Sequence, residues 1–466
     1  MQRAAAGAAL LTLGPAAEAL GGGLPGTQLR ALRSAVRGQV LAPGDAGYPA
    51  ARVLFNTRYD GIRPPAVVRV RDSADVQAVV KWAGRFDVPL VARSGGNAYN
   101  GSSTSRTAVV VDVGGLDTVA VDGDRVVIGP GGRLLPTQAR LARRGLTFPA
   151  GSCPNVAVGG HALGGGMGLS GRADGLALDR IRAIRVVTAD GRARRVTAVQ
   201  GEDLFWALRG GGGSFGIVVG FEIDPVRAQD GAWYRVTFPV SQREEALAAF
   251  DGFAPETSSL LTSILSLTPT GAQAFGQYLG SESGMRRLLG PLTRVAGASL
   301  STSAASHMTL LRRWAGCATG ASVAQCTAIP RQSFDASSVY FAKKVPSAGR
   351  RAFARAADTG ATLLCDSYGG AVSRPAPDAT AFVHRKVRFS VQILEYGPIG
   401  TASADVERAR SLIAPFGNGQ AYQNYCDLQI ANPLKAYYGT NLPRLREVKQ
   451  AVDPDDRFRP AQGIRA

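Results

Sequence analysis

The sequence predicts an α+β protein with two lobes. Strand-like and helix-like segments alternate between Val67 and Ile223, which is typical of a lobe in which helices pack on sheets. A different sheet begins at about residue 230, and residues 420–466 return to a glycine- and tyrosine-bearing pattern that ends in a helix. With 466 residues, the chain is also longer than one simple hydrophobic core usually requires.

The N-terminus is predicted to be an export signal. Arg3 supplies a small positive charge, residues 4–13 are apolar, and Ala17-Glu18-Ala19 resembles a signal-peptidase site. We therefore expect a signal peptide over residues 1–19, an N-terminal extension up to residue 45, and a secreted protein. No later segment has the run of about 18 apolar residues that a spanning helix needs, so we expect no membrane span.

Short apolar runs divide the first lobe into strands and helices. Ser73 follows a β-rich run and starts a helix that carries Val76 and Val79 on one face. Ala189-Asp190-Gly191 is a turn signal between two strands and predicts a hairpin. The predicted strands are 67–70, 88–91, 108–113, 125–128, 181–188, 194–199 and 215–223, and the predicted helices are 134–145, 201–208 and the one that begins at Ser73.

The second lobe is predicted to be a sheet with helices. Residues 234–238, 262–267 and 389–394 are strand-like and alternate with helical stretches. A final helix is predicted over residues 441–452. We find no internal repeat.

The distribution of charged residues does not indicate a nucleic-acid-binding motif. The chain has 53 Lys and Arg against 35 Asp and Glu, a net charge of +18. The basic residues are mostly scattered arginines without a run of five, so the sequence favours a solvated basic surface over a dedicated polyanion site. We expect a small-molecule substrate, no nucleic-acid partner and a monomer.

Five cysteines are present, and they suggest a disulfide rather than a metal site. Cys317 and Cys326 lie close together in a polar stretch, which in an exported protein favours a disulfide over two unpaired thiols. Cys153, Cys365 and Cys426 lack metal-site spacing, and only three histidines exist. We expect no metal.

The loop 93–101 follows a predicted strand and contains two adjacent glycines, Gly95 and Gly96. Successive backbone N–H groups in such a loop can face one concavity and bind a pyrophosphate. The loop lacks the G-x-G-x-x-G pattern, which disfavours a Rossmann site. Taken alone, such a loop is more often an ordinary turn.

The segment 151–168 is the most glycine-dense part of the chain and carries Cys153 near its start. So many glycines cost conformational entropy unless something large packs against bare backbone, and a flat cofactor would fit. Cys153 is then a candidate nucleophile or attachment point. The alternative is a buried, inert thiol, the commoner fate of a free cysteine.

These two segments, together with residues 201–218, resemble the FAD-binding domain of the vanillyl-alcohol-oxidase superfamily. Tyr422-Gln423-Asn424-Tyr425, the segment 437–445 and Asp453-Pro454-Asp455 resemble the berberine-bridge segment of one branch. Residues 366–371 and 382–385 also look like those of bacterial members. The resemblance is strongest over residues 50–228 and 420–464.

The resemblance implies a two-lobed fold with the active site between the lobes. A PCMH-type FAD-binding domain (46–228) would be completed by the C-terminal berberine-bridge segment (420–466). A substrate domain of a sheet covered by helices (229–419) would be inserted between them.

The resemblance also implies an FAD-dependent oxidase. Relatives pass a hydride from an alcohol, a sugar or an alkaloid-like C–H bond to flavin N5, and O2 reoxidises the flavin to give H2O2. Many hold the flavin by a histidine at 8α and a cysteine at C6. Cys153 matches that cysteine, but Asn97 stands in the histidine's place, so we expect FAD attached through Cys153 alone. A missing second link implies a weaker flavin oxidant.

The resemblance assigns cofactor contacts to residues of both loops and of the C-terminal motif. They are Arg93, Ser94, Gly95, Gly96, Asn97, Tyr99, Cys153, Val158, Gly159, Gly160, His161, Gly164, Gly165, Gly168, Ile217, Val218, Tyr422 and Asn424.

Three residues are candidates for catalysis. Tyr425 matches the family's base, and because a phenol has a pKa near 10, a positive charge or hydrogen bonds would have to lower it. Tyr99 stands where relatives place a substrate-side tyrosine, and Gln392 is a candidate on the substrate sheet, with packing as its alternative. The small side chain of Val156 either leaves room for O2 to reach the flavin or serves only in ordinary strand packing. His161 is expected to be a structural hydrogen-bonder.

Three functions remain open at this point. The first is a sugar or oligosaccharide oxidase, and the second is a tailoring oxidase of secondary metabolism. The third is a catalytically silent flavin-binding protein, which the missing histidine suggests.

Overall fold

The computed structural model describes residues 23–123 and 125–466, so the predicted signal peptide lies outside the described residues. The first sheet packs against the helix Ser73–Phe86. Asp72 caps this helix, because its carboxylate accepts hydrogen bonds from the N–H groups of Ala74 and Asp75 at 2.9 and 3.2 Å. The residue after its C-terminus, Asp87, has a left-handed φ of 51°. Its valines pack into the buried cluster beneath the sheet.

Two sheets form the first lobe. In the first, one antiparallel and two parallel pairings link the strands Gln39–Leu41, Val67–Arg69, Val109–Asp112 and Leu90–Arg93, in that order. In the second, all pairings are antiparallel, and the order is Val119–Asp122, Arg125–Ile128, Ile217–Ile223, Ile181–Val187 and Ala193–Val196. Val226–Arg227 and Leu146–Thr147 form a separate pair.

The second lobe is built on a seven-stranded antiparallel sheet. Its strand order is Ser299–Ala305, Gly231–Phe238, Gly271–Tyr278, Leu261–Thr268, Thr362–Ser367, Phe389–Tyr396 and Phe334–Phe341. Three helices bury apolar side chains against one face of this sheet. They are Arg243–Phe253, Ser347–Ala357 and Ile399–Ile413.

The remaining helices connect the sheets or cover their edges. They are Gly26–Ala35, Tyr48–Arg52, Leu134–Ala142, Val158–Leu163, Gly171–Asp174, Glu202–Leu208, Glu282–Leu288, Gly290–Thr293, His307–Trp314, Val323–Thr327, Pro433–Tyr438 and Leu442–Val452. Tyr422, Tyr437 and Leu445 share one buried cluster with Val158 and Phe215, so the C-terminal residues pack into the core of the first lobe.

The α+β prediction is confirmed, while several boundaries differ. The helix predicted over 134–145 ends at Ala142, because Gly145 takes a left-handed φ of 67°. The strand predicted over 194–199 ends at Val196, where Thr197 and Gln200 pair in a turn. Within the described ranges, none of the helices has the length and apolar character that a bilayer crossing requires.

Candidate active site

The two glycine-bearing loops are tied together by side chains. Arg133 donates to the carbonyl oxygens of Gly95 and Asn155, at 3.2 and 2.5 Å. Asn97 lies between the same carbonyls, and its Nδ2 is 3.0 Å from Gly95 O and 3.4 Å from Asn155 O. Asn97 therefore braces the loop 93–101 against the segment that carries Cys153.

Cys153 is the exposed free thiol of this chain, whereas Cys365 and Cys426 are buried. Desolvation raises the pKa of the Cys153 thiol, against a smaller lowering by the Ser152 hydrogen bond. The inert, buried alternative therefore does not apply to Cys153.

The glycines of segment 151–168 divide into two groups according to what an added Cβ would meet. A Cβ on Gly164 would lie 2.0 Å from Asn424 Oδ1, and one on Gly166 would lie 2.4 Å from the Ala177 Cβ. Gly168 similarly packs against the Ala150 backbone. In contrast, a Cβ on the exposed Gly160 would meet no described atom within 4 Å. Close chain packing therefore explains most of these glycines.

A hydrogen-bond network joins the C-terminal motif to this segment. Tyr422 Oη accepts from the N–H groups of Gly166 and Met167, at 3.0 and 3.1 Å. Asn424 Nδ2 donates to His161 O and to Tyr422 Oη, both at 3.0 Å. His161 Nε2 accepts from Gly151 N–H at 3.1 Å, and burial lowers the pKa of the ring to about 4. His161 is thus a neutral hydrogen-bonder, in agreement with its expected structural role.

Tyr99, Gln392 and Tyr425 lie together in the structure. Gln392 Nε2 donates to Tyr99 Oη at 2.7 Å. The Tyr99 ring stacks on the Tyr425 ring, with centroids 5.9 Å apart and planes 12° apart. Three residues that are far apart in the sequence therefore form one polar and aromatic surface.

Tyr425 has a neighbour that the sequence analysis did not assign. Its Oη donates to Asp366 Oδ2 at 3.4 Å, and Ser390 Oγ donates to the same oxygen at 3.4 Å. Desolvation raises the pKa of the buried Asp366 carboxyl to about 7.

Tyr425 needs a positive charge or hydrogen bonds to lower its pKa, but the group that its hydroxyl contacts is the Asp366 carboxyl. Desolvation, then the nearby Asp366, raise the Tyr425 pKa well above its ordinary value instead of lowering it. Asp366 is therefore the group in this cluster whose proton affinity suits a base at neutral pH.

Most of the other predicted cofactor residues lie in helices, strands and loops of the first lobe. Val158 and Gly159 begin the helix Val158–Leu163 and are buried. Gly160 N–H donates to Ser94 Oγ at 3.3 Å. Ile217 and Val218 open a buried strand of the second sheet. Whether they contact a cofactor stays a prediction.

The residues present fit a large, partly anionic cofactor. Nη1 of the buried Arg93 has no hydrogen-bond partner among the described residues, while Nη2 binds Asp112 at 2.8 Å. A Cβ on Gly213 would also meet no described atom within 4 Å, so bare backbone is exposed there as it is at Gly160. An unpartnered guanidinium nitrogen and two open glycine surfaces suit phosphates and a flat ring.

Comparisons with known proteins identify the family. A family model described as "FAD binding domain" matches residues 64–197, and one described as "Berberine and berberine like" matches residues 421–465. An FAD-linked oxidoreductase of Bacillus subtilis is 32% identical over 465 residues, with 92% of this chain and 98% of the relative covered. The chain belongs to the berberine-bridge-like FAD-linked oxidoreductases. It is therefore an FAD-dependent oxidoreductase.

Other relatives match over nearly the whole length of the chain. The chitooligosaccharide oxidase of Gibberella zeae is 28% identical, with 91% of this chain and 92% of the relative covered. The solved structure of Physcomitrella patens BBE-like 1 is 28% identical and matches with a TM-score of 0.89, covering 94% of this chain and 99% of that one. The family and the fold class expected from the sequence are thus confirmed.

Proposed function

We propose that this protein is a secreted oxidase that converts the anomeric alcohol of a sugar to a lactone, with O2 as the electron acceptor and H2O2 as a product. FAD, when bound, supplies the hydride acceptor and the site at which O2 is reduced. The similarity to a chitooligosaccharide oxidase supports a sugar as the substrate. The disulfide between Cys317 and Cys326 supports secretion into an oxidising compartment.

The observation that carries the proposal is the Tyr425–Asp366 pair. A sugar hydroxyl that binds Tyr425 Oη gives up its proton as its C–H hydride leaves. Tyr425 passes its own proton to Asp366, whose raised pKa of about 7 lets the carboxylate accept it near neutral pH. Gln392 holds Tyr99 beside Tyr425 and offers an amide for further sugar hydroxyls.

Cys153 is proposed as the single covalent anchor of FAD. Its accessible sulfur supports a thioether to the ring, as the resemblance implies at C6. Asn97 is occupied by two backbone carbonyls and has no nucleophilic atom, so no second bond forms at 8α. Val156 is a small, half-buried residue of the segment that carries Cys153, which supports access of O2 to the flavin.

Oxidation of a sugar panel tests the proposal. Purified holoenzyme is incubated with mono- and oligosaccharides, and H2O2 is measured with a peroxidase-coupled dye. Val199→Ala, at a surface side chain 93% exposed, serves as a matched control that retains activity. Peroxide release with at least one sugar is expected. The proposal is wrong if no sugar gives peroxide, and a catalytically silent protein is then indicated if dithionite-reduced flavin also fails to react with O2.

A further inference from the structure

Arg172 is a buried arginine of the first lobe whose hydrogen bonds lead into the second lobe. It lies in the short helix Gly171–Asp174 and is one of the largest fully buried side chains. Its guanidinium has five N–H groups, and each of them meets a main-chain carbonyl oxygen. The acceptors are Leu261 O at 2.8 Å from Nε, Thr257 O at 2.7 Å and Ser258 O at 3.4 Å from Nη2, Pro255 O at 3.2 Å from Nη1, and Tyr368 O, which also accepts from Nη1.

The surroundings of Arg172 indicate a role beyond the filling of space. A buried cation that binds neutral carbonyl groups keeps much of its desolvation cost, and this burial lowers the pKa of Arg172 to about 10. An apolar side chain of similar volume would fill the same space without that cost. What it could not supply is a rigid set of N–H groups that fixes separate stretches of chain.

The turn that follows Tyr368 is shaped to admit this guanidinium. Gly369 and Gly370 have left-handed φ values of 93° and 57°. A Cβ on Gly369 would lie 2.9 Å from Arg172 Nη1, and one on Gly370 would lie 2.2 Å from Arg172 O. The close approach of Arg172 therefore explains both glycines of this turn.

The same contacts fix the strand that carries Asp366. Tyr368 is two residues beyond Asp366, and Leu261 is three residues before Ile264, which pairs with Asp366 across the adjacent strand. At about 3.4 Å per residue, both anchored carbonyls lie about 7–10 Å from this position along the chain. Arg172 therefore clamps the ends of two neighbouring strands close to the carboxyl group.

The stretch 166–172 of the first lobe also anchors the partner of this carboxyl. The N–H groups of its first two residues donate to Tyr422 Oη at 3.0 and 3.1 Å, and Tyr422 is three residues before Tyr425. Arg172, at the other end of the stretch, holds the strand of Asp366. The 3.4 Å contact between Tyr425 Oη and Asp366 Oδ2 therefore depends on one short piece of chain.

From this arrangement we infer that Arg172 is a positioning residue that holds Asp366 at hydrogen-bonding distance from Tyr425. It acts through the Tyr368 carbonyl and the loop 255–258. Because the Tyr425–Asp366 contact is already long, a shift of about 1 Å between the lobes breaks it. The inference rests on the proposed oxidation and adds the residue that joins the lobes at the reactive pair.

The protonation of Asp366 reports on this position. The hydroxyl and thiol groups that interact with its carboxyl are those of Tyr425, Ser390, Tyr422, Tyr368 and Cys365. The pKa values of the four titratable groups among them are raised, so they are neutral near pH 7 and leave burial as the main influence on Asp366. If its strand shifts, water reaches the carboxyl, and its pKa falls towards the ordinary value.

The first test compares Arg172→Lys and Arg172→Ala with Arg385→Lys. Arg385 is a matched control because it is buried and also joins the lobes, but it does so by binding Asp179 at 2.7 and 2.8 Å. With a sugar that wild type oxidises, Arg172→Lys should lower kcat roughly 10- to 100-fold and change KM less than about threefold. Arg385→Lys should lower kcat less than about threefold.

Arg172→Ala should lower kcat further than Arg172→Lys, because lysine keeps the charge and three donors. If Arg172→Ala does not fold, Arg172→Lys decides the test. The pH below which kcat/KM falls should move to lower pH in Arg172→Lys and stay at its wild-type value in Arg385→Lys.

A second test needs no turnover. The free energy of unfolding is measured at pH 5.5 and 8.5 with and without Asp366→Asn, in wild type, Arg172→Lys and Arg385→Lys. Because a raised pKa destabilises the folded protein as the carboxyl ionises, Asp366→Asn should stabilise wild type more at pH 8.5 than at pH 5.5. This difference should fall by about half or more in Arg172→Lys and stay unchanged in Arg385→Lys.

The inference is overturned if Arg172→Lys leaves this pH-dependent difference at its wild-type value, or if Arg385→Lys matches Arg172→Lys in both tests. If wild type oxidises no sugar, the proposed function fails, while the unfolding measurements still decide whether Arg172 positions Asp366. The two failures are therefore distinguishable.

Discussion

Replacement of Asp366 by Asn removes a carboxyl group whose ionised form is destabilised by burial in the folded protein. Burial raises its pKa from 3.8 to about 7, so the ionised form is disfavoured in the folded protein. Because the folded pKa lies above the unfolded one, the penalty is absent below about pH 4, grows between the two values and is complete above about pH 7. A difference of about 3 pKa units corresponds to about 4 kcal/mol of stability lost at alkaline pH.

The Asp366→Asn variant keeps the shape of the side chain and an oxygen that accepts hydrogen bonds from Tyr425 and Ser390. It should therefore be more stable than wild type, by about 2 kcal/mol at pH 5.5 and by about 4 kcal/mol at pH 8.5. The assay is denaturant unfolding of the holoprotein at both pH values, followed by circular dichroism.

Asp455→Asn makes the same chemical change at an exposed position and should shift stability by less than about 0.5 kcal/mol at either pH. A gain from Asp366→Asn that is equal at the two pH values would refute the raised pKa, and with it the role of Asp366 as the base.

Three further outcomes follow from the same contacts. Wild-type kcat/KM should fall as the pH drops below about 7, because Asp366 becomes protonated. Tyr425→Phe should lower kcat by roughly 10²- to 10⁴-fold. Stopped-flow measurement of flavin reduction at several pH values tests both outcomes. Asn97→Ala removes the brace between the two loops, and it should lower the melting temperature without altering the mass of the Cys153 peptide. Cys317→Ser should cost about 2–3 kcal/mol of unfolding free energy, and wild type in reductant should lose the same amount in denaturant titrations.

Short-range sequence patterns predicted the elements of the fold well. Ser73, the hydrophobic spacing after it and the turn at Ala189-Asp190-Gly191 act within a few residues, so the helix and the hairpin that they predict are both present. Boundaries failed where one residue's backbone conformation decides, as at Gly145.

The site was predictable only in part because its chemistry depends on tertiary register. Tyr99, Gln392 and Tyr425 were identified separately, and the structure brings them together. Asp366 lies in the segment 366–371 that resembles bacterial members, but the sequence analysis assigned it no role. Its burial and its contact with Tyr425 arise only when the second lobe meets the C-terminal segment. The close packing of several glycines in segment 151–168 could not be predicted for the same reason, because their neighbours are distant in sequence, as Asn424 is for Gly164.

The attachment of FAD through Cys153 alone can be measured directly. Tryptic cleavage after Arg144 and Arg172 releases residues 145–172, which contain Cys153. Mass spectrometry of this peptide from denatured, riboflavin-replete protein should show one added flavin on Cys153, with the peptide that contains Asn97 unmodified. An unmodified Cys153 thiol together with FAD that leaves the denatured chain would contradict the account.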